Sequence, residues 1–94
     1  MNFKKSLGQN FLIDKNISKK ILSLTSLKNK QVIEIGAGTG NLTNEIIKLK
    51  PKKIICIEKD KIFVKKLNSI YKNEKNLNVI GGDILFLNLN GLIT

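Results

Sequence analysis

The chain has 94 residues, 41% of them apolar, and carries 17 basic against 7 acidic side chains for a net charge of +10. That length allows one small domain at most, and the apolar share is that of a folded chain rather than a disordered one. A single cysteine, Cys56, and no histidine exclude an intramolecular disulfide and supply too few thiolate and imidazole ligands to expect a structural zinc site.

The surplus of lysine suits a polyanionic partner, because each Lys that neutralises a phosphate releases a condensed counterion. The abundance of Lys, Asn and Ile together also fits a gene of biased base composition. No apolar stretch approaches 18 residues, and no signal-peptide core follows Met1-Asn2-Phe3-Lys4-Lys5, so a cytoplasmic protein is expected.

In chain order, residues 1–13 read as an extended N-terminal arm with little periodicity, and residues 14–94 as the folded part. Ile17, Ile21, Leu22 and Leu24 fall near one helical face and predict a helix over about 14–25 with Asp14 as its N-cap. Val32, Ile33 and Ile35 form a short buried strand that runs into Gly36, Gly38 and Gly40. Leu42, Ile46, Ile47 and Leu49 give a second helix, stopped by Pro51. Ile54 to Ile57 is a second strand, rich in β-branched residues, in which Cys56 packs as a small hydrophobe.

Asp60 caps a third helix over about 61–72, with Ile62, Phe63, Leu67, Ile70 and Tyr71 as its apolar side. Leu77, Val79 and Ile80 form a third strand, which Gly81-Gly82-Asp83 turns out of; Ile84 to Thr94 opens a further helix or a loop. Strands alternating with helices of this length predict βαβ units and a parallel sheet.

Three acids stand at matching places: Glu34 near the end of the first strand, Glu58 at the end of the second, Asp83 just after the third. In an open parallel sheet these places share the C-terminal edge, where ligands bind. The glycines read G-x-G-x-G, with Asn41 where a dinucleotide fingerprint would have its last glycine. A carboxylate at Glu58 can accept both hydroxyls of a ribose, and one at Asp83 can accept from an adenine amino group. Taken singly, each acid reads more readily as a helix cap or a solvated charge.

The stretch Ser6-Leu7-Gly8-Gln9-Asn10-Phe11-Leu12, with Val32-Ile33-Glu34-Ile35-Gly36-Ala37-Gly38-Thr39-Gly40-Asn41-Leu42-Thr43, Glu58-Lys59-Asp60 and Gly82-Asp83-Ile84-Leu85, resembles the ribosomal RNA adenine N6-dimethyltransferases of the KsgA type, relatives of the Erm methyltransferases. The resemblance runs from about residue 5 to 88. It implies a class I methyltransferase, an α/β Rossmann-like fold with a parallel sheet, here truncated after its third strand. It implies S-adenosyl-L-methionine as cofactor and no metal. Asn10 and Leu12 would close over its methionine end and sulfonium. Gly36 and Gly38 would lie against the methionine part, Glu58 would hold the ribose, and Asp83 and Ile84 would receive the adenine.

The reaction implied is the dimethylation of N6 on two adjacent adenosines near the 3′ end of small-subunit ribosomal RNA, with the small subunit as partner and no membrane. The target base must leave its stack to react. The family's catalytic Asn/Asp-Leu/Ile-Pro-Tyr/Phe tetrapeptide does not occur here and is expected beyond Thr94, so no catalytic residue is assigned. A fragment inactive on its own is expected; a cofactor- or RNA-binding module without catalysis is the alternative. With its open side unpaired, the strand of Val32, Ile33 and Ile35 would be an apolar edge that favours self-association.

Overall fold

The computed structural model describes residues 10–87. Four parallel strands are laid down in the order of the chain, β1-β2-β3-β4: β1 (Asn10–Asp14), β2 (Gln31–Ile35), β3 (Lys53–Glu58) and β4 (Leu77–Gly81). Between them run α1 (Lys19–Ser23), α2 (Asn41–Lys48) and α3 (Lys61–Ile70), and a 3₁₀ turn, Ile84–Phe86, follows β4.

Each connection steps one strand further in the same direction, and right-handed crossovers in such a sheet deliver every helix to one face. Packing agrees. Leu22 of α1, Ile46 of α2, and Leu67 and Tyr71 of α3 and its end share a core with Val32, Ile54 and Cys56. The alternate residues Ile33, Ile55 and Ile57 form a second cluster on the other face, with Leu12, Ile35, Ile80, Ile84 and Leu87 packed against it. Strands buried on both sides explain why the sequence of β3 is apolar without alternation.

The three strands read from the sequence are β2, β3 and β4, and Asp60 caps α3 as expected, its Oδ1 accepting the Ile62 N–H at 2.8 Å. The beginning of the chain differs. Residues 10–14 form a fourth strand in register with β2, Asn10 opposite Gln31 and Asp14 opposite Ile35. Asp14 is not a helix cap: its Oδ1 accepts the Asn16 N–H at 2.8 Å in the turn that leaves β1. The cap is Ser18, whose Oγ accepts the Ile21 N–H at 3.1 Å, and the helix is only five residues long. The helix starts five residues later than its predicted cap because residues 14–17 form the turn that leaves β1; of the residues assigned to its inner face, Leu22 is buried whereas Ile21 and Leu24 are exposed.

This fourth strand also overturns the expectation of an open apolar edge at Val32, Ile33 and Ile35. The β2 strand is paired on both sides, with β1 and with β3, so the extra strand closes the edge opposite β4. The reason given for self-association goes with it. Residues 84–86 continue as the 3₁₀ turn, while 88–94, and Ser6 to Gln9 of the opening motif, lie outside the described residues.

Candidate functional site

Parallel strands end at one edge, and here that edge carries Asp14, Gly36, Glu58 and Gly82-Asp83 side by side. An open cavity of about 600 Å³ lies over it. Its walls are Asp14, Lys15 and Asn16 from the end of β1; Ile35, Gly36, Gly38 and Thr39 from the end of β2; Ile57 to Asp60 from the end of β3; Phe63 of α3; and Gly82 to Ile84 after β4.

The glycine loop is held from several sides. The Gly36 N–H donates to Ile57 O at 2.8 Å, which ties the loop to the tip of β3. Gly40 stands at the start of α2 with φ +90°, and a Cβ added there would lie 2.7 Å from the Tyr71 hydroxyl oxygen. Both the left-handed backbone and the close ring require glycine. The Tyr71 hydroxyl sits 3.1 Å from Gly40 O and 2.5 Å from Asn44 Oδ1, one proton between two acceptors, so α3 grips the loop where it enters α2.

Glu58 is nearly buried, and both its oxygens are engaged with backbone. Oε1 accepts the Gly38 N–H at 2.8 Å and Oε2 the Asp60 N–H at 2.9 Å. Each carboxylate oxygen has a second lone pair, so these bonds orient the group without using up its accepting capacity. Asp83 caps the 3₁₀ turn, its Oδ1 accepting the Leu85 N–H at 2.9 Å. Both acids thus play the modest structural part that a lone carboxylate usually plays, and both face the cavity.

Glu34 does not line it. It is 1% exposed, on the helix-covered face, where Thr43 Oγ1 donates to its Oε1 and the Cys56 thiol lies 3.5 Å from the same oxygen. Burial raises its pKa above the ordinary 4.5, against the lowering influence of the Thr43 and Cys56 hydrogen bonds. Burial, reinforced by the adjacent Glu34 carboxylate, pushes the Cys56 thiol up as well, so it is neither ionised nor reactive.

Of the seven residues predicted to touch cofactor, Gly36, Gly38, Glu58, Asp83 and Ile84 come together around the cavity. Leu12 is not among its walls. It packs against the second-face cluster of Ile33, Ile55 and Ile57, while the side chain of Asn10, the first residue of β1, lies outside the description. Sequence reasoning missed Asp14, Lys15, Asn16 and Phe63 as wall residues. Recognising β1 as a strand in register with β2 would have placed the first three at the same edge.

The charge of the cavity opposes that of the chain. Four acids, Asp14, Glu58, Asp60 and Asp83, face two lysines, Lys15 and Lys59, in a protein with 17 basic and 7 acidic side chains. Such a site favours a ligand that brings positive charge of its own. Among the described residues no group of three or more His, Cys, Asp and Glu could hold a metal, and no helix is long and apolar enough to cross a membrane.

Comparison with known proteins gives this geometry a context. The chain is 50% identical over 82 residues to ribosomal RNA small subunit methyltransferase A of Pelagibacter ubique, covering 87% of this chain and 30% of that protein. It is 49% identical over 90 residues to the protein of the same name from Mycoplasmopsis synoviae, covering 95% of this chain and 33% of the other. A crystal structure of a Pyrococcus horikoshii protein assigned as an RNA methyltransferase superposes with a TM-score of 0.64 at 34% identity, over 74% of this chain and 36% of that one. The chain therefore spans about a third of the length of the curated relatives it matches. Residues 1–94 match the family described as ribosomal RNA adenine dimethylase, and with four parallel strands and a glycine loop at their C-terminal edge, the chain belongs to that family.

Proposed function

We propose that this chain forms the cofactor-binding part of an S-adenosyl-L-methionine-dependent methyltransferase. Its substrate would be small-subunit ribosomal RNA, dimethylated at N6 of two adjacent adenosines near the 3′ end. The observation that carries the cofactor reading is the concentration of four of the seven acids of a strongly basic chain around one cavity at the strand tips. S-adenosyl-L-methionine brings a sulfonium and an ammonium to such a site, whereas a dinucleotide brings a pyrophosphate that four carboxylates would repel.

The order of the strands sets the order of the contacts. The Asp83 carboxylate and the Ile84 side chain receive the adenine beyond β4, and Phe63 flanks it from α3. Glu58, already oriented by the Gly38 and Asp60 N–H groups, accepts from the ribose hydroxyls. The Gly36 and Gly38 backbone lies against the methionine portion. Asn10 and Leu12 would close over the methionine end and sulfonium. Bound cofactor supplies the electrophilic methyl group. The chain's own residues bind and orient it, and the net charge of +10 draws the RNA towards the protein.

Calorimetric titration of the protein with S-adenosyl-L-homocysteine tests the cofactor reading, with NAD as the control. Saturable binding of the first and none of the second is expected; the reverse would overturn it. For the substrate, transfer of tritiated methyl to unmethylated small subunits, assayed beside one of the longer relatives, tests the proposed reaction. Label on any base other than adenine would refute it.

A further inference from the structure

We infer that Lys15 is the counter-ion of the cofactor's amino-acid carboxylate, an inference that rests on the cofactor reading above and deepens it. The strand tips form a row in the order β1, β2, β3, β4, with neighbours about 4.8 Å apart, so the row from Asp14 to Asp83 covers roughly 14 Å. That is the length scale of an extended nucleoside bearing an amino-acid tail. With adenine at β4 and ribose at Glu58, the tail passes Gly36 and ends at the tip of β1. Lys15 stands there.

Three observations single out this lysine. It is one of two cations in the cavity wall; the other, Lys59, adjoins Glu58 and so belongs to the ribose position. Its Cδ lies 3.7 Å from where a Cβ on Gly36 would be, so the aliphatic stem runs beside the bare glycine. Among the described residues Lys15 has no salt-bridge partner, the one ion pair there being Lys48 with Glu45 on α2. The acid beside it is occupied elsewhere, Asp14 Oδ1 accepting the Asn16 N–H.

The chemistry of the tail fits that turn. An amino acid presents a carboxylate and an ammonium on one carbon, and Asp14 and Lys15 offer the opposite charges on adjacent residues. In a cavity with four carboxylates, a ligand carboxylate needs a cation of its own, because every other charged wall group near the tail repels it.

The test compares two ligands that differ only in the tail: S-adenosyl-L-homocysteine, which has it, and 5′-methylthioadenosine, which lacks the amino and carboxyl groups. Lys15 is exposed in the turn between β1 and α1, so Lys15→Met retains the fold. Calorimetry should show Lys15→Met weakening S-adenosyl-L-homocysteine about fivefold, the scale of one partly screened ion pair, with 5′-methylthioadenosine unchanged and Lys15→Arg restoring most of the affinity. Equal affinity of wild type and Lys15→Met for S-adenosyl-L-homocysteine would overturn the inference, as would an equal loss for both ligands. If the wild type bound neither, the cofactor reading itself would fall, and this assignment with it.

Discussion

Glu34 and Glu58 are the same side chain near the ends of neighbouring strands, and by alternation they leave the sheet on the same side. Their surroundings differ because their depth does. Glu34 pairs with Cys56, inside the ladder, whereas Glu58 lies two residues further along β3 than Cys56, roughly 6–7 Å nearer the edge. Two residues separate a carboxylate enclosed by Thr43 and Cys56 from one that orients the glycine loop and faces a cavity. Position along the strand, more than residue type, divides an enclosed structural acid from one that faces the cavity.

The largest effect should come from treating the two glutamates alike. Glu58→Gln removes the charged acceptor proposed for the ribose, and hydrogen bonds to charged groups are worth about 1.5–3 kcal/mol each. Affinity for S-adenosyl-L-homocysteine should therefore fall on the order of 100-fold. Glu34→Gln, with an acceptor left for Thr43, should keep affinity within about twofold of wild type, since no ligand contact is lost. Calorimetry on both variants decides it; equal losses would erase the distinction drawn from depth.

Stability should rank them the other way. Glu34→Ala leaves the fully buried Thr43 hydroxyl without its acceptor and opens a cavity beside Cys56. A cost of about 2–3 kcal/mol is expected, read from urea unfolding at unchanged m. A loss below about 0.5 kcal/mol would mean that the buried hydrogen bonds are not made in solution.

The raised pKa of Glu34 gives this difference a pH dependence. Well below pH 4.5 the carboxyl is protonated in both folded and unfolded chains. As pH rises from there the unfolded chain ionises first while burial keeps the folded group protonated, so the folded state binds more protons and stability falls. The fall ends once pH passes the raised native value. Urea midpoints of wild type against Glu34→Gln should diverge in that direction from about pH 4.5 upward, because glutamine cannot titrate. A flat difference would show that Glu34 titrates as it does in the unfolded chain.

The strands β2, β3 and β4, the glycine loop and the cap Asp60 could be read in the sequence because each is specified locally, by a short apolar run rich in β-branched residues, a G-x-G-x-G string, or an Asp before a helical period. The strand β1 could not. Asn10-Phe11-Leu12-Ile13-Asp14 is a strand by virtue of its partner, Gln31 to Ile35, twenty-one residues away, and its own residues, of which 10–13 read as part of an extended arm, carry no signal of that pairing. The same non-local cause hid the charge of the cavity. Asp14, Asp60 and Lys15 are far apart in sequence or look like caps, and only the register of the sheet gathers them. Glu34 failed in the opposite sense: the motif drew it into the site, while the depth that keeps it out is set by its pairing with Cys56.

The smallest effect concerns how the loop between the two glutamates is held. Glu58 fixes it at the Gly38 N–H, and Tyr71 fixes its far end at Gly40. Tyr71→Phe deletes the hydroxyl that serves Gly40 O and Asn44 and should cost about 1 kcal/mol. Gly40→Ala should cost more. Its Cβ would stand 2.7 Å from that hydroxyl and 3.3 Å from the ring, on a backbone at φ +90° that disfavours any side chain. In the double variant the closest clash is gone, although the ring contact and the backbone strain persist. The pair should therefore be less destabilising than the sum of the singles, by about 0.5–1 kcal/mol in urea unfolding. Strict additivity would mean that the Tyr71 ring swings aside freely, and the glycine loop would then owe its shape to the Glu58 carboxylate and its own backbone alone.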